Sequence, residues 1–264
     1  MIPTSIDGTD ITAATIDGTD VQEITVDGDV VFSAGPTLPV AYSNLIAWWP
    51  FDSAQYGGSN IDDVTAIIGS SGDDTAYNQT NIGPASYQTS SGVFDINAGS
   101  NSGAFDFDGN NDGLLTPQIS FNSHTKMLWV NVNSSTGHIF GAQDSPKSEY
   151  TQIILGNGFE YRLDDGNISA DTILTTSAPQ NQYVHLAITY DSASSSNNCE
   201  MFKDGVSVGT ASKPSGLTFN SQQSTFKFPT QNKQFVTGLA DDIRIYDTVL
   251  TSSQINQIYQ NTQP

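Results

Sequence analysis

Ile243 and Ile245 alternate with Arg244 and Tyr246 in the stretch Thr237 to Asp247, the period of two that marks a strand with one buried face. Directly after it, Thr251 stands three residues before Gln254, and Leu250, Ile255, Ile258 and Tyr259 form an apolar stripe. That is the pattern of a capped helix, so a strand followed by one short closing helix is predicted. Upstream, Leu45–Trp49, Ala104–Asp108, Thr125–Val132, His138–Gly141, Gln152–Leu155, Phe159–Leu163 and Tyr183–Asp191 each carry strand-forming apolar runs. Glu200–Gly209 reads as a hairpin around Asp204-Gly205. Short strands at such intervals, separated by Gly and Asp turns, predict an antiparallel sandwich. Residues 53 to 103 are rich in Gly, Ser, Asn and Asp, with only brief apolar runs such as Val64–Ile68, and read as loops.

The first 35 residues follow a different rule. Ile6-Asp7-Gly8-Thr9-Asp10, Ile16-Asp17-Gly18-Thr19-Asp20 and Val26-Asp27-Gly28-Asp29 recur every ten residues. Asp-Gly between β-prone pairs is a hairpin signal, because Gly takes positive φ without steric cost. Each unit is too short to bury an apolar side alone. Two arrangements satisfy it: packing on the rest of its own chain, or docking with other chains, and exposed strand edges favour the second. Ser33 to Pro39, with two prolines and a glycine, reads as a boundary. The division expected is 1–35, a β-repeat for anchoring or oligomerisation; 36–44, a linker; and 45–264, the sandwich.

The Gly-x-x-Asp-Asp-x-Arg-x-Tyr strand at Gly238–Tyr246 resembles the closing strand of laminin-G-like, concanavalin-A-type jelly rolls. Leu45-Ile46-Ala47-Trp48-Trp49-Pro50-Phe51-Asp52 resembles their opening strand, and Ala104 to Gly113 their Phe-Asp-Gly-x-x-Asp turn. Tyr183 to Asp191 resembles the Trp-x-His-x-Ala-x-x-Tyr-Asp strand, with Tyr183 where Trp is usual, and Glu200 to Gly209 the Tyr-x-Asp-Gly hairpin. The resemblance covers residues 45 to 262. It implies an all-β, antiparallel jelly-roll β-sandwich, with a small N-terminal hairpin module and one C-terminal helix, whose closing strand pairs with its opening one. Val21 to Phe32 resembles short N-terminal modules of structural proteins from tailed viruses of salt-loving archaea. Together these imply a virion surface component, a capsid turret, spike or tail fibre, that attaches to host-surface glycans. The expected partners are further copies of the chain as a trimer or pentamer, other virion proteins through residues 1–35, and host glycans or glycoproteins. A purely structural decoration protein, and a secreted lectin or glycosidase, are the alternatives.

Charge narrows the function. Lys and Arg total 8 against 28 acidic residues, a net charge of -20, which repels phosphates and excludes sequence-independent nucleic-acid binding. The acidity is Asp, since Glu occurs only at positions 23, 149, 160 and 200. Such a surface suits high salt, where screening removes self-repulsion, and equally an ordinary acidic extracellular protein. No apolar run reaches membrane-spanning length, and Met1 is not followed by a basic and then an apolar segment. Membrane insertion is therefore not expected, and release within an assembled particle accounts for an extracellular site.

The candidate chemistry is sparse. Cys199 stands alone, which rules out an intrachain disulfide and predicts a packed thiol. His124, His138 and His185 have no zinc spacing, and His185 is expected to hydrogen-bond structurally. Glycoside hydrolysis needs two placed carboxyls. The nearest match, Glu160-Tyr161-Arg162-Leu163-Asp164, lacks the second Glu of the Glu-x-Asp-x-x-Glu pattern, and its Glu-Arg pair reads as solvated. Ser192–Ser196 has no nucleophile-elbow context. No catalytic residue is expected, and the chain is read as no enzyme. Within the resemblance, a structural calcium where first and last strands meet falls on Asp52, Asp241 and Asp242, against the alternative that one of the pair caps a turn or faces solvent. Asp106, Asp108 and Asp112 depart from calcium-loop spacing and read as turn residues. Tyr42, Tyr56, Tyr77, Tyr87 and Tyr150 lie in polar surroundings where a ring could stack on a sugar, whereas Trp48, Trp49 and Trp129 read as core.

Overall fold

Alternating segments of the sequence become antiparallel strands, and the one amphipathic segment becomes a helix. The computed structural model describes residues 41, 44–49, 104–108, 114–142, 150–164, 171–225 and 236–264, with isolated short strands elsewhere. The chain divides into two compact units, Met1–Pro39 and Val40–Pro264.

In the first unit, β1 (Ser5–Ile6) pairs with β2 (Thr9–Asp10), β3 (Thr15–Ile16) with β4 (Thr19–Asp20), and β5 (Glu23–Val26) with β6 (Asp29–Ser33). Ile6 pairs with Thr9, Ile16 with Thr19 and Val26 with Asp29. The ten-residue repeat in sequence is thus a repeat in register. The Asp-Gly pairs themselves lie outside the described residues.

The second unit runs through β7 (Leu45–Trp49), β8 (Val64–Thr65), β9 (Thr75–Asn78), β10 (Ser86–Gln88), β11 (Phe94–Asp95), β12 (Ser100–Asn101), β13 (Ala104–Asp108) and β14 (Leu114–Phe121). It continues with β15 (His124–Val132), β16 (Gly137–Ala142), β17 (Tyr150–Leu155), β18 (Phe159–Asp164), β19 (Asp171–Thr176) and β20 (Tyr183–Tyr190). β21 (Cys199–Lys203), β22 (Val206–Ala211), β23 (Phe219–Thr225), β24 (Thr237–Tyr246) and helix α1 (Ser252–Asn261) complete it. One sheet has the order β10-β13-β24-β15-β20-β21-β22, with β7 also on β24; the other has β19-β18-β17-β16-β23-β14-β9-β8. The stretch from 53 to 103 therefore holds short strands that its loop-like composition hides.

Phe107, Leu128, Val130, Leu186, Ile188, Ile243 and Ile245 of the first sheet meet Ile139, Ile153, Leu155, Phe159, Tyr161 and Leu163 of the second in one continuous core. The architecture is the antiparallel jelly-roll sandwich that the motifs imply. The closing strand β24 pairs with the opening strand β7, Ile243 opposite Trp49 and Ile245 opposite Ala47.

Arg244 and Tyr246 depart from expectation. Alternation predicts one buried face for β24, yet both residues are buried too. The reason is α1. Leu45, Trp48, Met127, Ala187, Phe202 and Tyr246 on the far face of the first sheet pack under Leu250, Ile255 and Ile258. Trp48 and Trp129 are buried as expected, but on this far face rather than between the sheets. α1 starts where the sequence places it: Thr251 Oγ1 accepts from the Gln254 N–H, and Gln254 Oε1 accepts from the Thr251 N–H at 2.9 Å. Replacing Thr251 by Ala is expected to cost about 1 kcal/mol, read as a lowered denaturation midpoint with unchanged slope.

Candidate functional site

β18 alternates between two environments. Phe159, Tyr161 and Leu163 enter the core, which turns Glu160, Arg162 and Asp164 to the other face of the second sheet. There the ladder sets Glu160 opposite Ile154, Arg162 opposite Gln152 and Asp164 opposite Tyr150. β16 adds His138 opposite Ile154 and Gly141 opposite Gln152, and β19 adds Thr172 opposite Arg162 and Thr175 opposite Glu160. Four adjacent strands thus gather acid, amide, imidazole, guanidinium and hydroxyl on one face, where His138, Gln152, Glu160 and Asp164 are buried while Arg162, Thr172 and Thr175 reach solvent.

Glu160 is its centre. Only 5% of it is exposed, so the solvated pair expected from sequence is instead a buried, fully engaged carboxylate. Oε2 accepts from Arg162 Nη2 at 3.0 Å, Arg162 Nε at 3.2 Å and Thr172 Oγ1 at 2.7 Å, and Oε1 accepts from the Asn157 N–H at 3.0 Å. Gly156 lies against it, and a Cβ there would run into Oε1 and shift the carboxylate. Burial favours the protonated acid, but the hydrogen bonds from Thr172, Asn157 and Arg162 outweigh it and hold the pKa below the usual carboxylate range. A general acid for glycoside cleavage requires the reverse shift. Arg162 keeps about a third of its side chain accessible, at 35%, so the network ends in a donor fork at the surface. Sequence reasoning missed this assembly because two of Glu160's donors come from a turn and a neighbouring strand.

Two of the three carboxylates at the strand junction named for calcium are described. Asp52 lies outside the described residues. Asp241 and Asp242 sit side by side in β24, both buried. Between Met127↔Arg244 and Trp129↔Asp241 the register slips by one residue, and Asp242 takes φ 46 there. This bulge turns both carboxylates to the α1 side while Ile243 and Ile245 remain in the core. Asp242 Oδ1 accepts from Trp48 Nε1 and from Arg244 Nε at 2.9 Å, and the Arg244 guanidinium lies 4.6 Å from the Trp48 ring centroid. Asp241 Oδ1 accepts the Asp242 N–H at 2.8 Å. Among the described residues, the positive charge at this junction is the Arg244 guanidinium, which takes up Asp242 Oδ1. Among the described residues no group of three or more His, Cys, Asp or Glu is placed to hold a metal ion.

The three histidines occupy unrelated environments. His124 is inside the sandwich, where Nδ1 donates to the Asn122 carbonyl at 2.9 Å and Nε2 accepts from Thr151 Oγ1 at 2.8 Å. Lys126 is buried beside it, with Nζ donating to the Thr151 carbonyl at 3.0 Å and 5.0 Å from the Phe121 ring centroid. Burial first, and the Lys126 charge second, hold the His124 pKa well below the ordinary imidazole value. His185 lies under α1 with ring centroids 5.3 Å from Trp129 and 6.1 Å from Tyr259. Its ring nitrogens have no hydrogen-bond partner. The structural hydrogen bonds expected of its side chain are made by its backbone, whose N–H donates to Asp204 Oδ1 at 3.0 Å. Cys199 is buried, and burial pushes its thiol up to about 11. Of the tyrosines proposed for stacking, Tyr42 and Tyr56 lie outside the described residues, while Tyr77, Tyr87 and Tyr150 are in β9, β10 and β17 rather than loops.

A sequence profile described as the concanavalin A-like lectin/glucanases superfamily matches residues 108–256, more than half of the chain. No curated protein sequence matches the chain. Among solved structures, domain 4 of AbnA, an extracellular arabinanase of Geobacillus stearothermophilus in complex with arabinotriose, is 20% identical with a TM-score of 0.55, over 82% of this chain and 98% of that one. The binding domain of Paraclostridial Mosquitocidal Protein 1 is 17% identical with a TM-score of 0.51, over 82% of this chain and 52% of that one. A Trypanosoma rangeli sialidase in complex with 2,3-difluorosialic acid is 12% identical with a TM-score of 0.56, over 90% of this chain but 36% of the sialidase. The chain thus spans about half of the second and about a third of the third. These likenesses are of fold.

Proposed function

Because the chain belongs to the concanavalin A-like lectin/glucanases superfamily, we propose that its sandwich binds glycans without cleaving them, on the outward face of β16–β19. The carrying observation is the Glu160 network: a buried carboxylate with fixed donors and a lowered pKa, ending in the Arg162 fork, about a third exposed at 35%. Such an array is preorganised to exchange hydrogen bonds with sugar hydroxyls, and is wrongly tuned for proton donation. The arabinanase domain solved with arabinotriose supports the ligand class.

In this reading residues 1–35 are the anchor and the sandwich is the outward head of a virion surface protein, a turret, spike or fibre. The three registered hairpins support an anchoring role, since two-stranded units of this size are unstable unless they join something larger. The test is a printed array of neutral and acidic polysaccharides, probed with the full chain in concentrated and dilute salt. Arg162→Ala is expected to weaken binding at least about tenfold, about 1.4 kcal/mol, with the thermal midpoint of the fold retained. Failure of the wild-type chain to bind any polysaccharide would leave the purely structural decoration protein as the reading.

A further inference from the structure

The turn between β17 and β18 is Gly156-Asn157-Gly158, closed by the pair Leu155 and Phe159. It holds the one Asn-Gly dipeptide of the sequence, and Asn157 is exposed. Two hydrogen bonds shape the turn: the Gly156 N–H donates to the Gly158 carbonyl at 2.9 Å, and the Asn157 N–H donates to Glu160 Oε1 at 3.0 Å. Neither uses the Asn157 side-chain amide or the Gly158 N–H. Gly158 takes φ 128, and a Cβ there would strike the Thr176 carbonyl at the end of β19. The fold therefore demands a residue without a side chain at 158, and the backbone nitrogen that follows Asn157 is unshielded.

We propose that Asn157 is a self-modification site, at which the Gly158 backbone nitrogen attacks the Asn157 side-chain Cγ and the product takes the backbone donor away from Glu160 Oε1. The bond formed is Gly158 N to Asn157 Cγ. The bond broken is Cγ to the amide nitrogen, which leaves as ammonia with the proton of the Gly158 N–H. Water then opens the five-membered imide at either carbonyl. One opening leaves an ordinary aspartate; the other leaves an isoaspartyl linkage, in which the main chain runs through Cγ and is one methylene longer. The net change is amide and water to carboxylate and ammonium, which adds one negative charge to the chain. Both products disturb Glu160. A carboxylate at 157 puts like charge beside the N–H that Oε1 accepts, and the longer linkage, held between the paired Leu155 and Phe159, draws that N–H away. The Asn157 hydrogen bond is one of those that hold the Glu160 carboxyl low, so its loss moves the titration of Glu160 upward. The consequence for function rests on the glycan reading: the preorganised array on the β16–β19 face ages in one direction, without an enzyme.

The test ages the full chain in mildly alkaline buffer and follows every Asn by peptide mass, a gain of about 1 Da marking conversion. Conversion at 157 is expected at least about ten times faster than at any other Asn, because each of those is followed by a residue with a Cβ. Asn157→Gln, whose longer side chain cannot close the five-membered ring, is expected to abolish it. Glu occurs only as Glu23, Glu149, Glu160 and Glu200, so isotope-labelled Glu carboxyls give four resonances, and Glu160→Gln identifies the one to watch. That resonance is expected to titrate at higher pH in the aged chain and in Asn157→Asp than in the fresh chain or in aged Asn157→Gln. Polysaccharides bound by the fresh chain are expected to be held at least about threefold more weakly by the aged one. Conversion at 157 no faster than at other exposed Asn residues, an unmoved Glu160 titration, or undiminished binding by the aged chain would each overturn the proposal. A fresh chain that binds no polysaccharide overturns the glycan reading alone, and the mass and titration results still decide the modification.

Discussion

Replacing Arg244 by Met is expected to lower the unfolding free energy by about 3–5 kcal/mol, the usual effect of removing one partner from a buried ion pair. Arg244 and Asp242 are both buried, and Arg244 Nε to Asp242 Oδ1 is 2.9 Å. Burial alone would disfavour the guanidinium, but Asp242 and Tyr246 beside it hold its pKa above the ordinary arginine value. Without Arg244, Asp242 keeps only the Trp48 indole N–H on Oδ1, and its buried Oδ2 has no hydrogen-bond partner. The cation-π stack on Trp48 goes as well. For a unit of this size the loss corresponds to a fall in melting temperature on the order of 10 °C. Adding Asp242→Asn, which keeps a residue tolerant of positive φ at the bulge, is expected to recover more than half of it. Chemical denaturation of the single and double variants decides the matter. A loss below about 1 kcal/mol for Arg244→Met would mean that the pair is screened and does not join β7 to β24.

That junction shows which part of the structure local sequence can carry. Ile243 and Ile245 declare their strand because alternation is a local pattern and the core beneath them is continuous. Arg244 and Tyr246 read as the wet side, since β7 lies far upstream and alternation within β24 does not show that the helix following it folds back over this face. Asp241 and Asp242 read with Asp52 as calcium ligands because the resemblance puts a cation where first and last strands meet, and carboxylates forced together there would repel without one. The guanidinium two residues on satisfies that need only because a bulge rotates Asp242 onto its face. Glu160 follows the same logic. Its spacing to Arg162 is visible in the sequence, but the Asn157 N–H and the Thr172 hydroxyl come from a turn and from β19. The capping box of α1 was fully legible, because both hydrogen bonds close within four residues. The short strands β8 to β12 were not, being too brief to establish a period.

Acid is expected to loosen the docking of α1 before it protonates the carboxylates. His185 is buried against Trp129 and Tyr259 with both ring nitrogens unbonded. Burial, reinforced by Arg244 and opposed by Asp242, holds its pKa down at about 4 against an unfolded value near 6.5. The unfolded chain therefore binds the proton more tightly. Stability is full above about pH 6.5 and falls as pH drops towards 4, by about 3 kcal/mol from this group when the window is crossed. His124, held low in the sandwich core by burial and by Lys126, adds a loss of the same sign. Glu160, with its lowered pKa, contributes a loss only at still lower pH. Denaturant midpoints measured from pH 7.5 to 4 should fall steadily, and His185→Leu should remove part of the slope while leaving the part due to His124. A profile unchanged by His185→Leu would mean that the imidazole reaches solvent or a hydrogen-bond partner in the folded state, and that α1 does not seal the far face of the first sheet.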